Sequence, residues 1–179
     1  MLKRLSAVAI MLVSLGCSMQ TSRVESRQPL DKSAKFVVMP FRDPLSDNYK
    51  SRGIGSLFSN SFATECLENG VNVFHSASPD FSSSKDIDQP AMLEYARRNG
   101  FDYIITGRVT VWVQGAAAWN MFRDYAGLEV TVWKIDDAKS VFTSQKVAHG
   151  NLFWIRKRED FIAGLSRDVA KELSEKCAK

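Results

Sequence analysis

The sequence predicts an α/β domain: a mixed sheet of about five strands in the order β-α-β-α-β-β-β-α, with the helices packed on the sheet. Three observations carry this reading. Lys35-Phe36-Val37-Val38-Met39-Pro40-Phe41 is a short apolar run stopped by proline, which suits a strand buried on both faces. Two stretches with apolar residues at helical spacing each end in Asn-Gly, at Asn69-Gly70 and Asn99-Gly100, a pair suited to a left-handed helix end. From Phe101 onward apolar and polar residues alternate along long segments, as in half-buried strands.

The chain opens with Lys3 and Arg4, an apolar run from Leu5 to Leu15, and the small-residue close Leu15-Gly16-Cys17-Ser18. The run is too short to span a bilayer, which takes roughly 20 apolar residues, so residues 1–16 read as a removed export signal. The segment resembles a bacterial lipoprotein signal. That resemblance implies that Cys17 becomes the mature N-terminus and carries the fatty-acyl anchor, diacylglycerol and palmitate. Ser14 stands where such signals favour Leu, with Leu15 one place later; an ordinary secretory signal cleaved near here is the competing reading.

Residues 17–33 read as the lipidated N-terminus and a flexible tether, because Ser18 to Ser33 is polar and without sustained apolar periodicity. Fully extended, that tether would reach at most ~50 to 58 Å, at about 3.3 to 3.6 Å per residue. Residues 34–179 read as one domain. After the Lys35–Phe41 strand, turn residues from Asp43 to Ser51 lead into a helix with Ile54, Leu57, Phe58, Phe62 and Leu67 on its apolar stripe. Val71 to Phe74 is a second strand. A serine-rich loop from Ser76 to Asp88 precedes a helix started by Pro90, carrying Met92, Leu93, Tyr95 and Ala96.

In the next strand, Tyr103 to Gln114, strict alternation puts Tyr103, Ile105, Gly107, Val109, Val111 and Val113 on one face. Ile104, Thr106, Arg108, Thr110, Trp112 and Gln114 fall on the other. A following strand repeats the division, Leu128, Val130 and Val132 against Glu129, Thr131 and Trp133. Asp136 to Lys139 is a turn, Val141 to Gly150 a further strand, and Glu159 to Lys176 a final helix with the stripe Phe161, Ile162, Leu165, Val169 and Leu173. One sheet face therefore packs on helices, and the mixed polar and aromatic face is the expected working surface.

Without its first sixteen residues the chain has 163 residues, 22 basic and 20 acidic, a balance too even for the basic stripe of a nucleic-acid binder. Arg97-Arg98 and Arg156-Lys157-Arg158 are the densest basic groups, suited to lipid headgroups or, more simply, to solvated helix ends. With Cys17 taken by lipid, Cys66 and Cys177 form an even pair in an oxidising compartment, each near the end of a helix. A bridge would tie those ends together and contribute about 4 to 5 kcal/mol in the chain-entropy model; two buried free thiols are the alternative.

No catalytic signature is present: no phosphate-binding loop ending in Gly-Lys-Ser/Thr, no His-Glu-x-x-His, no Cys-x-x-Cys and no Gly-x-Ser-x-Gly. Gly53-Ile54-Gly55 opens a helix whose amides suit an anion, with a tight helix start as the competing reading. His75 and His149, the only histidines, lie at the ends of different strands with no ligand spacing around them. The expectation is a protein without enzyme activity, cofactor or metal.

The aromatic set is the positive signal. Trp112, Trp119, Phe122, Tyr125, Trp133 and Trp154 fall within 43 residues, with Trp112 and Trp133 expected on the outward face beside Arg108. Tryptophan and arginine concentrate binding energy at protein interfaces. Arg108, Trp112, Trp119, Phe122 and Trp133 are therefore the candidate partner-binding residues, with a covered second core or a glycan or lipid contact as the other readings.

Three stretches resemble the TolB N-terminal and CsgG-like group of periplasmic α/β domains. They are Phe36 to Phe41 followed by Gly53-Ile54-Gly55-Ser56-Leu57-Phe58; Glu68-Asn69-Gly70-Val71-Asn72-Val73; and Leu93 to Val109, with Gly100, Asp102-Tyr103 and Thr106-Gly107 at its centre. In organisation the chain is most similar to small exopolysaccharide-export ring lipoproteins and their uncharacterised relatives. The resemblance implies an outer-membrane-anchored, periplasm-facing lipoprotein that serves as a structural or assembly component of an envelope or export machine. Its partners would be membrane lipid and copies of itself or another envelope protein. A monomeric adaptor or regulator of a periplasmic enzyme, or a glycan or small-ligand binder, is the alternative. The Gly115 to Tyr125 insert is too short and irregular for the membrane-spanning hairpins of the curli secretion channel, which argues against a pore.

Overall fold

A computed structural model describes residues 21–26, 29–31, 33–45, 52–76, 78, 81–82, 88–113, 125–149 and 158–177. Its elements are β1 (Thr21–Ser26), β2 (Phe36–Val38), α1 (Ile54–Glu68), β3 (Val73–His75), α2 (Gln89–Arg98), β4 (Tyr103–Val113), β5 (Tyr125–Lys134), β6 (Lys139–His149) and α3 (Arg158–Cys177). The strands form one mixed sheet in the order β1-β6-β5-β4-β2-β3. β2 pairs in parallel with both β3 and β4, and the remaining pairs are antiparallel. The α/β class and the order of elements from β2 to α3 are those expected from the sequence.

The sixth strand is not. Thr21–Ser26 lies in the stretch read as a tether, yet it pairs antiparallel with β6, Thr21 opposite Val147 and Ser26 opposite Phe142. Its polar composition hid it, because an edge strand is held by main-chain hydrogen bonds and carries no obligatory apolar alternation. Leu30 follows and is fixed to the end of α3, its N–H donating to the Lys176 carbonyl at 3.1 Å.

α1 and α3 cover one face of the sheet. Phe58 and Phe62 of α1 and Leu165, Val169 and Leu173 of α3 pack, fully buried, on Phe36, Ile105, Leu128, Val130 and Phe142. Each such side chain contributes about 1.5–3 kcal/mol by leaving water. α2 lies on the opposite face, where Met92, Leu93 and Ala96 meet Val37, Met39 and Ile104. It covers only part of that face.

α1 begins where Asp43 accepts hydrogen bonds from the Gly53 N–H (2.8 Å) and the Gly55 N–H (2.7 Å). The chain's own carboxylate thus takes the place of an external anion at these amides, and the Gly53-Ile54-Gly55 segment is a tight helix start. Gly55 has to be glycine, since a Cβ there would stand 2.0 Å from the Phe41 carbonyl oxygen. Gly70 and Gly100 end α1 and α2 at φ +76° and +68°, as the Asn-Gly pairs predict.

Beneath α3 the first core contains charge. Lys146 points to the helix side of β6 and pairs with Glu172, whose second oxygen accepts from Ser144 Oγ at 2.6 Å. Lys146 is 10% exposed and Glu172 21%, so each ion depends on the other. A second charged contact joins the two helices, Arg167 Nε donating to Glu65 at 3.3 Å.

Candidate functional site

The face that α2 leaves partly open carries a cleft of about 340 Å³. Its lining comes from the end of β2 (Pro40, Arg42), the start of α2 (Gln89, Met92), β4 (Thr106, Gly107, Arg108) and β5 (Glu129, Thr131, Trp133). The backbone explains why they meet. The Arg42 N–H donates to the Gly107 carbonyl and the Val109 N–H to the Arg42 carbonyl, both at 2.9 Å, which extends the β2–β4 pairing past Pro40. Arg42 and Arg108 thereby become neighbours across the sheet.

Arg108 stands opposite Glu129 in the β4–β5 register and donates to it at 3.0 Å. The guanidinium is 57% exposed and the carboxylate 26%, so the pair contributes little to stability, about 0–1 kcal/mol, and is open to an incoming group. Trp133 is held by its indole N–H, which donates to Thr106 Oγ1 at 3.0 Å. Thr131 accepts in turn from Thr143 at 3.4 Å. The cleft therefore offers a fixed indole, an apolar wall at Met92 and Pro40, hydroxyls, and the exposed Arg108–Glu129 pair. Such a surface suits a partner side chain with an apolar body and an acceptor at its tip.

Of the sequence-predicted partner residues, the structure brings Arg108 and Trp133 into this cleft. Trp112 is a correction. A β-bulge between Val109 and Val111 places two residues of β4 opposite Gly127 and reverses the alternation beyond it. Trp112, expected on the outward face, consequently packs on the helix side, edge-on to Phe58 with ring centroids 6.0 Å apart. Trp119 and Phe122 lie outside the described residues, as does Cys17. Sequence reasoning missed Arg42, Gln89, Met92 and Glu129. Only Glu129 carried a signal, as the acidic residue on the same predicted face as Arg108.

Cys66 and Cys177 are free thiols, both buried, which is the alternative to the expected bridge. Burial pushes the Cys66 thiol above the usual thiol range and Cys177 up to about 11. Among the described residues no group of three or more His, Cys, Asp or Glu is placed to hold a metal ion. No described helix is long and apolar enough to cross a membrane.

The arrangement of sheet and helices matches solved structures. A point variant of the PelC dodecamer from Paraburkholderia phytofirmans aligns at TM-score 0.66 and 17% identity over 90% of this chain and 100% of that one. This chain shares its fold with PelC. A second crystal form of the PelC dodecamer aligns equally well, at TM-score 0.66, 18% identity and 90% and 99% of the two chains. Lipoprotein GNA1162 from Neisseria meningitidis aligns at TM-score 0.54 and 14% identity over 79% of this chain and 99% of that one. No protein-family model matches the chain, and no curated protein does.

Proposed function

We propose that this protein is a non-enzymatic lipoprotein, anchored through Cys17 on the periplasmic side of the outer membrane, that serves an envelope or export machine by assembling with copies of itself. The observation that carries this reading is the match to a dodecamer subunit over that subunit's entire length. A ring of identical subunits needs two different patches that meet head to tail. The Arg108–Glu129–Trp133 cleft has the exposed charge and fixed aromatic ring of one such patch.

The test is the mass of the detergent-solubilised lipoprotein, and of a soluble version beginning at Ser18, by light scattering across a concentration range. A discrete large oligomer supports assembly. A strict monomer in both forms rules it out and favours the second reading, a tethered adaptor or ligand binder. That reading draws support from the cleft itself, whose volume falls at the small end of the 300–1,000 Å³ typical of small-molecule sites.

A further inference from the structure

β1 starts only four positions after Cys17. At about 3.3 to 3.6 Å per residue, an acyl group on Cys17 lies within ~14 Å of Thr21. The pairing of β1 with β6 thus removes most of the reach that a free sixteen-residue tether would have, and it fixes which part of the domain lies near the anchor. Thr21 stands opposite Val147. Two residues further along β6 the described strands end, with His149 opposite Tyr125 and Tyr125 opposite Val113. α3 begins at this same end, because its other terminus is tied to Leu30, beyond the far end of β1.

We propose that the sheet end formed by Val113, Tyr125, His149 and the first turn of α3 is the membrane-facing surface of this protein, resting against lipid headgroups. The inference rests on the reading that Cys17 carries lipid. The described residues here suit that contact. Tyr125 and His149 stack with ring centroids 5.9 Å apart, and such amphipathic rings favour the headgroup level of a bilayer. In the first turn of α3, Arg158 is followed by Glu159 and Asp160, a charged helix start at this end. The β5–β6 turn at Asp136 and Asp137 is the far end, about 33 Å away along β6 at ~3.3 Å per residue. With the strands upright, the cleft on the sheet face opens sideways, toward a neighbouring copy anchored in the same membrane.

The experiment uses the full-length lipoprotein reconstituted in phosphatidylethanolamine and phosphatidylglycerol vesicles that contain a headgroup-linked nitroxide quencher. A fluorophore is placed on His149→Cys or on Asp137→Cys, with the buried Cys66 and Cys177 shielded from labelling and unsubstituted protein setting the background. Quenching several-fold stronger at position 149 than at position 137 is expected. Equal or reversed quenching in protein that floats with the vesicles overturns the orientation. Protein that does not float, and whose mass shows no acylation, overturns the anchor reading and the orientation with it.

Discussion

The bulge in β4 depends on Gly127 having no side chain. A Cβ built there would stand 2.2 Å from Thr110 Oγ1, 3.0 Å from Val111 Cγ1 and 3.5 Å from Val147 Cγ2. The Thr110 contact is more than 1 Å inside ordinary packing distance, and both Thr110 and its neighbour are β-branched with little freedom to turn away. Gly127→Ala should therefore destabilise by about 1–3 kcal/mol, the range for an overpacked site. Thr110→Ala alone changes a half-buried strand position and should stay within ~1 kcal/mol. Combined with Gly127→Ala it removes the Oγ1 that clashes, so the double variant should recover more than half of the loss. That corresponds to a coupling of roughly 1 kcal/mol or more. The assay is urea unfolding of the version beginning at Ser18, with thermal midpoints as a check, where about 2–4 °C corresponds to each kcal/mol at this size. Strictly additive effects of the two substitutions would refute the steric argument.

Glu172→Ala strands Lys146 under α3 and should cost about 3–5 kcal/mol in urea unfolding, whereas Lys146→Met with Glu172→Met should lose far less. Asp43→Ala removes the acceptor from two α1 amides and should cost about 1–2 kcal/mol, read in the same way. Arg108→Ala should leave stability within about 1 kcal/mol of the parent while weakening self-association in light scattering; an unchanged oligomer would take the cleft out of the assembly. The raised thiols predict a pH effect. Both cysteines stay protonated in the folded state above the ordinary pKa of 9.0, so their contribution is whole below pH 9 and declines as pH rises toward about 11. Replacing both with Ala should flatten that alkaline decline. On the version beginning at Ser18, a thiol reagent should find two groups after unfolding, and finding none would establish a bridge.

The strands and helices from Phe36 to Cys177 were legible because burial writes itself into apolar spacing: a run for central β2, alternation for β4 and β5, and Asn-Gly at two helix ends. β1 was not legible, since a strand held by backbone pairing at a sheet edge needs no such pattern. The candidate site was half legible. Arg108 precedes the bulge of β4, and β5 has no extra residue between Leu128 and Lys134, the one at the β5–β6 shift being Val141 of β6, so alternation assigned both to the correct face. Trp112 follows a bulge, and one extra residue sends every later side chain to the opposite side. Arg42, Gln89 and Met92 reach the cleft only through the parallel placement of β2 and the seating of α2, long-range arrangements that no local pattern encodes.

On the proposed reading that Cys17 carries lipid, the direction in which β1 joins the sheet governs how a tug on that anchor would be borne. The N-terminal side of β1 meets the ladder at Thr21, opposite Val147, and the strand runs from there toward Ser26. A force on the membrane anchor then acts along the strand axis, across hydrogen bonds that lie perpendicular to it, so the bonds of the β1–β6 pair share the load in shear. Had the anchor emerged at the Ser26 end, the same force would peel the pairs one at a time. The six-residue edge strand would then act as a mechanical clasp between an anchored N-terminus and the domain.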